Sequence, residues 1–115
     1  EDEEQKRLTF AQAATGASGI ETLLSLSLEL YHNGSVKLET IIKALTSNPA
    51  KILKINKGNL SVGNEADFCI VDIEKPWIVK KDKLVSKSKN TSIEDKKLQG
   101  KVINTFVKGK ELFTL

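Results

Sequence analysis

The stretch at residues 46–72, TSNPAKILKINKGNLSVGNEADFCIVD, constrains the fold of this chain more than any other. Asn48 can accept hydrogen bonds from free backbone amides, and Pro49 has the backbone angle of a first helical position, so the pair predicts the start of a short helix. Gly58 predicts the end of that helix, because glycine easily adopts a left-handed backbone. The apolar run ADFCIV, at residues 66–71, then predicts a strand.

Two further helices are predicted before this short one. Residues 20–32 carry apolar side chains over a wide arc, so that helix needs neighbours on more than one side. Residues 35–46 have a clean amphipathic stripe, and Ser35 can cap them. The short third helix is expected at residues 49–55. Because two short neighbours cannot cover the first helix, we expect a missing partner, either the rest of a longer chain or another subunit.

After the helices, alternating or apolar runs predict about five strands. They lie at residues 60–62, 66–71, 73–79, 101–107 and 110–114. Residues 84–100 have little periodicity and predict a long loop, and Lys108-Gly109 predicts a hairpin turn. Helices followed by strands along the chain indicate an α+β fold or the junction of two domains.

The charge of the chain is nearly balanced, with 18 basic and 15 acidic side chains and a formal net charge of +3. Lysines are frequent at residues 80–97, where a nucleic-acid or membrane surface is the alternative to a solvated loop. Such surfaces usually need basic residues clustered on one face. Acidic and hydroxyl side chains interrupt this region, so we expect a solvated loop and neither nucleic acid nor membrane as a partner.

The one cysteine, Cys69, lies inside the apolar strand. Disulfide frameworks need pairs, so nothing indicates an oxidising compartment. We expect Cys69 to be a small core residue, with a reactive thiol as the alternative. No apolar run approaches the length that spans a bilayer, and the start of the chain is acidic, unlike a signal peptide. Residues 1–9 are acidic in their first half and basic in their second, and they predict an exposed segment or a broken-off loop. A cytoplasmic location is therefore expected.

Residues of the kinds that build catalytic centres are scarce. Zinc hydrolases need three or more ligands around an open site, but the chain has one histidine, His32, and no His-x-His, HExxH or CxxC motif. It also lacks GxSxG and a phosphate loop. His32 is expected to be a helix-end residue, with a metal ligand as the alternative. Taken alone, these residues predict no catalytic centre.

Residues 10–19, FAQAATGASG, are small and resemble a loop. Small residues allow the backbone to approach another group closely. Two interpretations stay open at this point. The main-chain groups could meet the polar edge of a ligand, or the segment could be a tight turn that enters the next helix.

Three motifs together resemble one family. T-x-N-P-A followed by G-x-L-x-x-G-x-x-A-D-x-x-x-x-D resembles the end of amidohydrolase-superfamily enzymes. KRLTFAQAATGASGIETLL resembles the segment of class I dihydroorotases that leads into the final barrel helix. SKSKNTSIEDKKLQGKVINTFVKGKELF resembles their late loop and strand pair. The chain is therefore identified as similar to the C-terminal portion of a class I dihydroorotase or a dihydroorotase-like homologue.

This resemblance implies an α+β fragment in two parts. Residues 1–56 would be the last helices of an amidohydrolase (β/α)8 barrel, and residues 57–115 would be strands of the small, composite β-sandwich. The implied enzyme is a metal-dependent hydrolase of cyclic amides. It converts dihydroorotate and water to N-carbamoyl-L-aspartate in pyrimidine biosynthesis, with zinc supplying the bound hydroxide.

The family's zinc ligands have no counterpart in this sequence. The resemblance therefore assigns no catalytic and no metal-binding residue here, and Asp2 does not inherit a ligand role. The segment alone is expected to bind no zinc and to be inactive. Its expected partners are the remainder of the barrel or another subunit, and dihydroorotate as the substrate.

In the family, main-chain groups of the small-residue loop contact the substrate ring, which implies substrate-binding roles for Ala14, Thr15 and Gly16. Thr15 stands where relatives often have proline or a small residue, and Ser92 replaces the proline of the SKSxNTP motif. Two alternatives remain. One is a non-catalytic scaffold that partners aspartate transcarbamoylase, and the other is a different cyclic amidohydrolase such as a hydantoinase or allantoinase.

Overall fold

The computed structural model describes residues 3–13 and 15–115. Helices come first and strands follow, as the sequence predicts for an α+β chain. The helices are α1 (Glu3–Lys6), α2 (Leu23–His32), α3 (Leu38–Leu45) and α4 (Ser47–Leu53), and the strands are β1 (Phe68–Ile78), β2 (Lys97–Val107) and β3 (Lys110–Thr114). The strands form one antiparallel sheet in the order β1-β2-β3, and a 3-10 turn at Lys81–Lys83 lies between β1 and β2.

The start of the chain was predicted to be an exposed segment, and Glu4, Gln5 and residues 7–9 are exposed. Helix α1 forms one turn there, with Lys6 in its last turn. A basic side chain at this position complements the partial negative charge at the C-terminal end of a helix. Glu1 and Asp2 lie outside the described residues.

The short helix α4 does not begin as predicted. Its N-cap is Thr46, not Asn48, and no side chain caps it. The Thr46 backbone N–H donates to Lys43 in the last turn of α3, while its carbonyl accepts from the Ala50 N–H. The two helices therefore meet at one residue, and this direct junction leaves no separate capping position for Asn48.

The other predicted helix ends also shift. Helix α3 starts after Lys37, and Ser35 does not cap it. Helix α4 ends at Leu53, and the left-handed backbone of its C-cap, Lys54, closes it before Gly58 is reached. Gly58 instead permits a close approach, because a Cβ atom there would lie 2.9 Å from the backbone of Thr46.

The sheet has three strands among the described residues, in place of about five. The predicted strands at residues 66–71 and 73–79 are one continuous strand, β1, interrupted by a register shift between Asp72 and Pro76. Asp72 Oδ1 causes this irregularity, since it accepts the backbone N–H groups of Glu74 and Lys75 at 3.0 and 3.1 Å. A short side chain that bonds its own backbone in this way competes with the strand ladder.

Residues 60–62 were also predicted as a strand, and they are not one. Asn59 Oδ1 accepts the Ser61 N–H at 3.1 Å and a bond from the Asn64 side chain, while the Asn64 N–H bonds the Ser61 carbonyl. These local bonds form a turn instead. The predicted loop at residues 84–100 is shorter than expected, because β2 already begins at Lys97 and buries Leu98. The hairpin turn at residues 108–109 is confirmed.

Helix α2 packs across the irregular part of the β1–β2 pair. Leu28 is fully buried there against Gly100, whose φ is +98°. The Ser25 hydroxyl donates to the Gly100 carbonyl at 2.6 Å, and the Trp77 indole N–H donates to the Ser25 hydroxyl at 3.1 Å. His32, the last residue of α2, lies 3.1 Å through Nε2 from the Ile73 carbonyl, which confirms it as a helix-end residue.

One side of α2 and much of the sheet are left exposed by the described residues. Leu23 and Leu30 of α2 are 54% and 46% exposed, so the expected shortage of neighbours is confirmed. Cys69 is exposed, and its prediction as a core residue is wrong. The reason is that α2 covers the sheet near Gly100, whereas Cys69 pairs with Thr105 toward the other end of the strands.

The contact between Leu28 and Gly100 gives a direct test of the fold. A Cβ atom at Gly100 would lie 2.3 Å from Leu28 Cδ1, and the positive φ would strain it further. We expect Gly100→Ala to lower the free energy of unfolding of the 115-residue chain by about 2–4 kcal/mol. Urea denaturation followed by circular dichroism measures this change.

Gly63→Ala is the matched control, since Gly63 has a φ of +94° and no atom within 4 Å of its Cβ position. It should lose only about 1 kcal/mol from backbone strain. Equal losses for the two variants would contradict the proposed contact between α2 and the sheet.

Candidate functional site

The candidate site is built around the small-residue loop. Thr15 and Gly16, both predicted to bind substrate, lie in this loop and are exposed, and the φ of Gly16 is +85°. Ala14, the third predicted residue, lies outside the described residues. The backbone N–H groups of Thr15, Gly16 and Ala17 donate no hydrogen bond within the part of the chain that the structure describes. They are donors that an acceptor on a ligand could use.

A second loop lies against the first. Asn90, from the SKSKN sequence, donates its side-chain N–H to the Gly16 carbonyl at 3.0 Å and accepts the Ser18 N–H at 2.7 Å on its own carbonyl. The Ser18 hydroxyl donates to the Ser88 carbonyl at 2.8 Å. We call residues 15–19 and 84–90 the paired loops, because these bonds join segments 74 positions apart.

Glu21 joins the paired loops to helix α2. Its two carboxylate oxygens accept the backbone N–H groups of Val85 and Ser86 at 3.0 and 2.9 Å. A carboxylate that accepts from two amides fixes the path of the backbone more firmly than one neutral bond does. Glu21 lies two residues before the start of α2, and Ser25 in the first turn of α2 is bonded to the sheet, so the start of this helix connects the core with the loops.

Sequence reasoning did not single out Glu21 or Asn90. Asn90 stands in a motif that was recognised, and Glu21 lies at the start of the helix predicted at residues 20–32, so both positions were visible. Their partners were not visible, because hydrogen bonds that join residues 64 to 74 positions apart depend on the tertiary fold.

An open cleft of about 650 Å³ lies between the start of α2 and the sheet. Its walls are mainly apolar, with Ile20 and Leu24 on the helix side and Trp77, Phe113 and Leu115 on the sheet side. Glu21 also lines it, so the cleft adjoins the residue that holds the paired loops.

The described residues do not fit a metal centre. Across residues 3–13 and 15–115, no three side chains of histidine, cysteine, aspartate or glutamate converge on one point. His32 directs Nε2 to the Ile73 carbonyl, and its Nδ1 is 3.8 Å from Glu74.

The first aspartate of the A-D-x-x-x-x-D motif has a structural role. Asp67 accepts a hydrogen bond from the Lys57 ammonium and, through Oδ1, the Lys108 backbone N–H at 2.7 Å. The Lys57 hydrogen bond, followed by the Lys108 amide, holds the pKa of Asp67 below its ordinary value of 3.8. Hydrogen bonds to Asp67 and then Glu65 raise the pKa of Lys57 above 10.5. This cluster fastens the β2–β3 hairpin to the segment after α4.

None of the helices within residues 3–13 and 15–115 combines the length and apolar character needed to cross a bilayer.

Comparisons with known proteins agree on one family. The amidohydrolase family profile matches residues 8–112. The chain is 42% identical to a dihydroorotase of Ehrlichia canis over 109 residues, and 40% identical to a dihydroorotase of Wolbachia sp. subsp. Drosophila simulans over 113 residues. These alignments take in 95% and 98% of this chain but 24% and 26% of the relatives. The chain thus spans about a quarter of the length of the curated relatives it matches.

Solved structures of the same superfamily share the fold. An L-hydantoinase (dihydropyrimidinase) from Arthrobacter aurescens superposes with a TM-score of 0.82 at 30% identity, covering 88% of this chain and 23% of that one. A D-hydantoinase superposes with a TM-score of 0.83 at 24% identity, covering 94% of this chain and 24% of that one. At that identity the second likeness concerns the fold alone.

The lowered pKa of Asp67 predicts how stability depends on pH. Since the folded value lies below 3.8, the contribution of Asp67 is complete above about that pH and is lost as the pH falls through the folded value. We expect the urea midpoint of the chain to fall between pH 6 and pH 3, and Asp67→Asn to reduce this fall.

Asp82→Asn is the control, because Asp82 lies in the exposed 3-10 turn away from the hairpin. The control should keep the acid sensitivity of the parent chain. An unchanged pH dependence in Asp67→Asn would contradict the role given to this carboxylate.

Proposed function

Because this chain belongs to the amidohydrolase family, we propose that it is the C-terminal portion of a dihydroorotase. The whole enzyme is a metal-dependent hydrolase that converts dihydroorotate and water to N-carbamoyl-L-aspartate in pyrimidine biosynthesis. Identities of 40–42% to dihydroorotases over nearly the whole chain support this assignment. A cytoplasmic location fits the same proposal.

The paired loops are the observation that carries the proposal. Each of the two loops comes from a sequence motif that resembles dihydroorotases, and Asn90 bonds the small-residue loop at Gly16 and Ser18. Two motifs that are far apart in the sequence but serve one site are expected to lie side by side in the fold, and these two motifs lie side by side.

The chain's own contribution to the reaction is substrate binding. We propose that backbone N–H groups of residues 14–16 donate to oxygen atoms on the polar edge of the dihydroorotate ring. Thr15 and Gly16 supply exposed donors without a partner among the described residues. Gly16 has no Cβ, so a ring can approach its backbone closely. The zinc of the family would be held by other segments, since the described side chains do not converge on a metal.

We also propose a division of the chain into two structural parts. Residues 1–56 would close the helical end of a (β/α)8 barrel, and residues 57–115 would contribute to a composite β-sandwich. Exposed apolar side chains support this division on both sides, Leu23 and Leu30 on helix α2 and Phe68 and Ile70 on the sheet. The remainder of the barrel, or another subunit, would cover them.

Two alternative functions would give different results in the experiment described next. A different cyclic amidohydrolase, such as a hydantoinase, is favoured by the 30% identity to the Arthrobacter L-hydantoinase, but the dihydroorotase identities are higher. In the second alternative, the chain belongs to a non-catalytic scaffold that binds aspartate transcarbamoylase.

A chimera tests the proposal. Residues 6–113 of this chain would replace the corresponding quarter of the Ehrlichia canis dihydroorotase. We expect hydrolysis of dihydroorotate with a kcat within about tenfold of the parent enzyme. Chromatography of dihydroorotate and N-carbamoyl-aspartate measures the rate. The 115-residue chain alone, supplied with zinc, should show no turnover.

The matched control carries the corresponding quarter of the Arthrobacter L-hydantoinase in the same parent and should be much less active on dihydroorotate. A chimera that melts cooperatively and retains its zinc but does not hydrolyse dihydroorotate would overturn the proposal. Turnover of hydantoin in its place would support the hydantoinase alternative. Inactivity with tight binding of aspartate transcarbamoylase would support the scaffold.

A further inference from the structure

We propose that Asn90 and Glu21 are positioning residues for the substrate-binding backbone at Thr15 and Gly16. This inference rests on the proposed function, since it gives the paired loops a role at the same site. Neither side chain needs to touch the substrate. Their role is to fix the position and direction of donors that do.

Asn90 holds the small-residue loop on both sides of Ala17. Its side-chain N–H reaches the Gly16 carbonyl at 3.0 Å, and its backbone carbonyl accepts the Ser18 N–H at 2.7 Å. The Lys6 ammonium donates to the same Gly16 carbonyl. The Gly16 carbonyl lies in the same residue as the Gly16 N–H and in the same rigid peptide as the Ala17 N–H, so holding the carbonyl restrains the backbone that carries both donors.

Glu21 holds the loop from which Asn90 acts. Both of its oxygens accept backbone N–H groups, those of Val85 and Ser86. The Ser86 hydroxyl lies 3.4 Å from the Ser18 hydroxyl, so a further polar contact links the second of the paired loops to the first. Without the carboxylate, these two exposed amides lose their shared acceptor, and the loop that carries Asn90 loses its attachment to the start of α2.

The buried core sets the position of Glu21. Ser25, one turn later on α2, is 2% exposed and bonds the Gly100 carbonyl, and Leu28 is fully buried beside it. The continuous path runs from the sheet through α2 to Glu21, then through the second loop to Asn90 and Gly16. Small residues alone would leave residues 15–19 with many backbone states, and ordering them only when substrate arrives would weaken binding.

Steady-state kinetics of the active chimera test the inference. Asn90→Ala should raise the KM for dihydroorotate about tenfold and leave kcat within about twofold, because backbone donors that bind substrate and transition state equally affect KM alone. The melting temperature should stay within about 2 °C of the unsubstituted chimera. A purely structural role would instead lower the melting temperature and the active fraction, without changing KM.

The substitutions at Glu21 form a graded series. Glu21→Ala removes both acceptors and should raise KM as Asn90→Ala does. Glu21→Gln keeps one acceptor oxygen and should give an intermediate KM. Asn56→Ala is the matched control for Asn90, since it also loses a side-chain bond at 3.0 Å, to Asn64 in a turn outside the paired loops. The control should leave KM unchanged.

Amide hydrogen exchange of the same chimeras gives a readout that does not depend on activity. Glu21→Ala should speed exchange at the Ser18 N–H at least about tenfold, because its acceptor on Asn90 is no longer held in place. An unchanged KM in Asn90→Ala, or unchanged exchange at Ser18 in Glu21→Ala, overturns the inference. The two proposals can fail separately. If the unsubstituted chimera is inactive, the proposed function and the substrate role are overturned. If exchange at Ser18 is nevertheless fast only in the Glu21→Ala variant, the attachment of the loops by Glu21 is still demonstrated.

Discussion

The packing of Leu28 on Gly100 is the constraint on which the rest of this structure depends. A helix can approach a sheet this closely only where the strand offers no side chain, and a Cβ at Gly100 would lie 2.3 Å from Leu28 Cδ1. The bond from Ser25 to the Gly100 carbonyl then fixes the rotation of α2 about its axis. This contact therefore sets the position of α2, and of Glu21, which lies just before α2 and bonds the paired loops.

In the proposed function, the same contact positions substrate-binding groups although no metal-ligating cluster lies among the described residues. Recognition of a polar ring needs donors held in fixed positions, and exposed loops rarely provide that alone. Here the loops are tied to a helix, and the helix is tied to a buried glycine. In the proposed enzyme, this chain would bind the substrate and other segments would supply the chemistry.

The sequence predicted the elements well where the pattern was local. The amphipathic stripe of α3, the run ADFCIV in β1 and the hairpin at residues 108–109 all depend on neighbours in the chain. Errors arose where side chains bonded the backbone or where burial depended on distant elements. Residues 60–62 form a turn instead of the predicted strand, because the Asn59 side chain bonds the backbone there. Cys69 is exposed because none of the described residues covers its end of the sheet. Of the site, the loop at Thr15 and Gly16 was predicted from the resemblance, whereas Glu21 and Asn90 became apparent only with the fold.

Strand β3 forms one border of the sheet, and all five of its residues are exposed. Its outward main-chain groups pair with no other strand among those described, and Leu112 and Phe113 add apolar surface beside them. Such a border recruits any extended segment that comes near, including the same strand of another molecule. Produced without the remainder of the proposed enzyme, the chain would therefore self-associate through β3. Its solubility would then show how much of this border is covered by other segments.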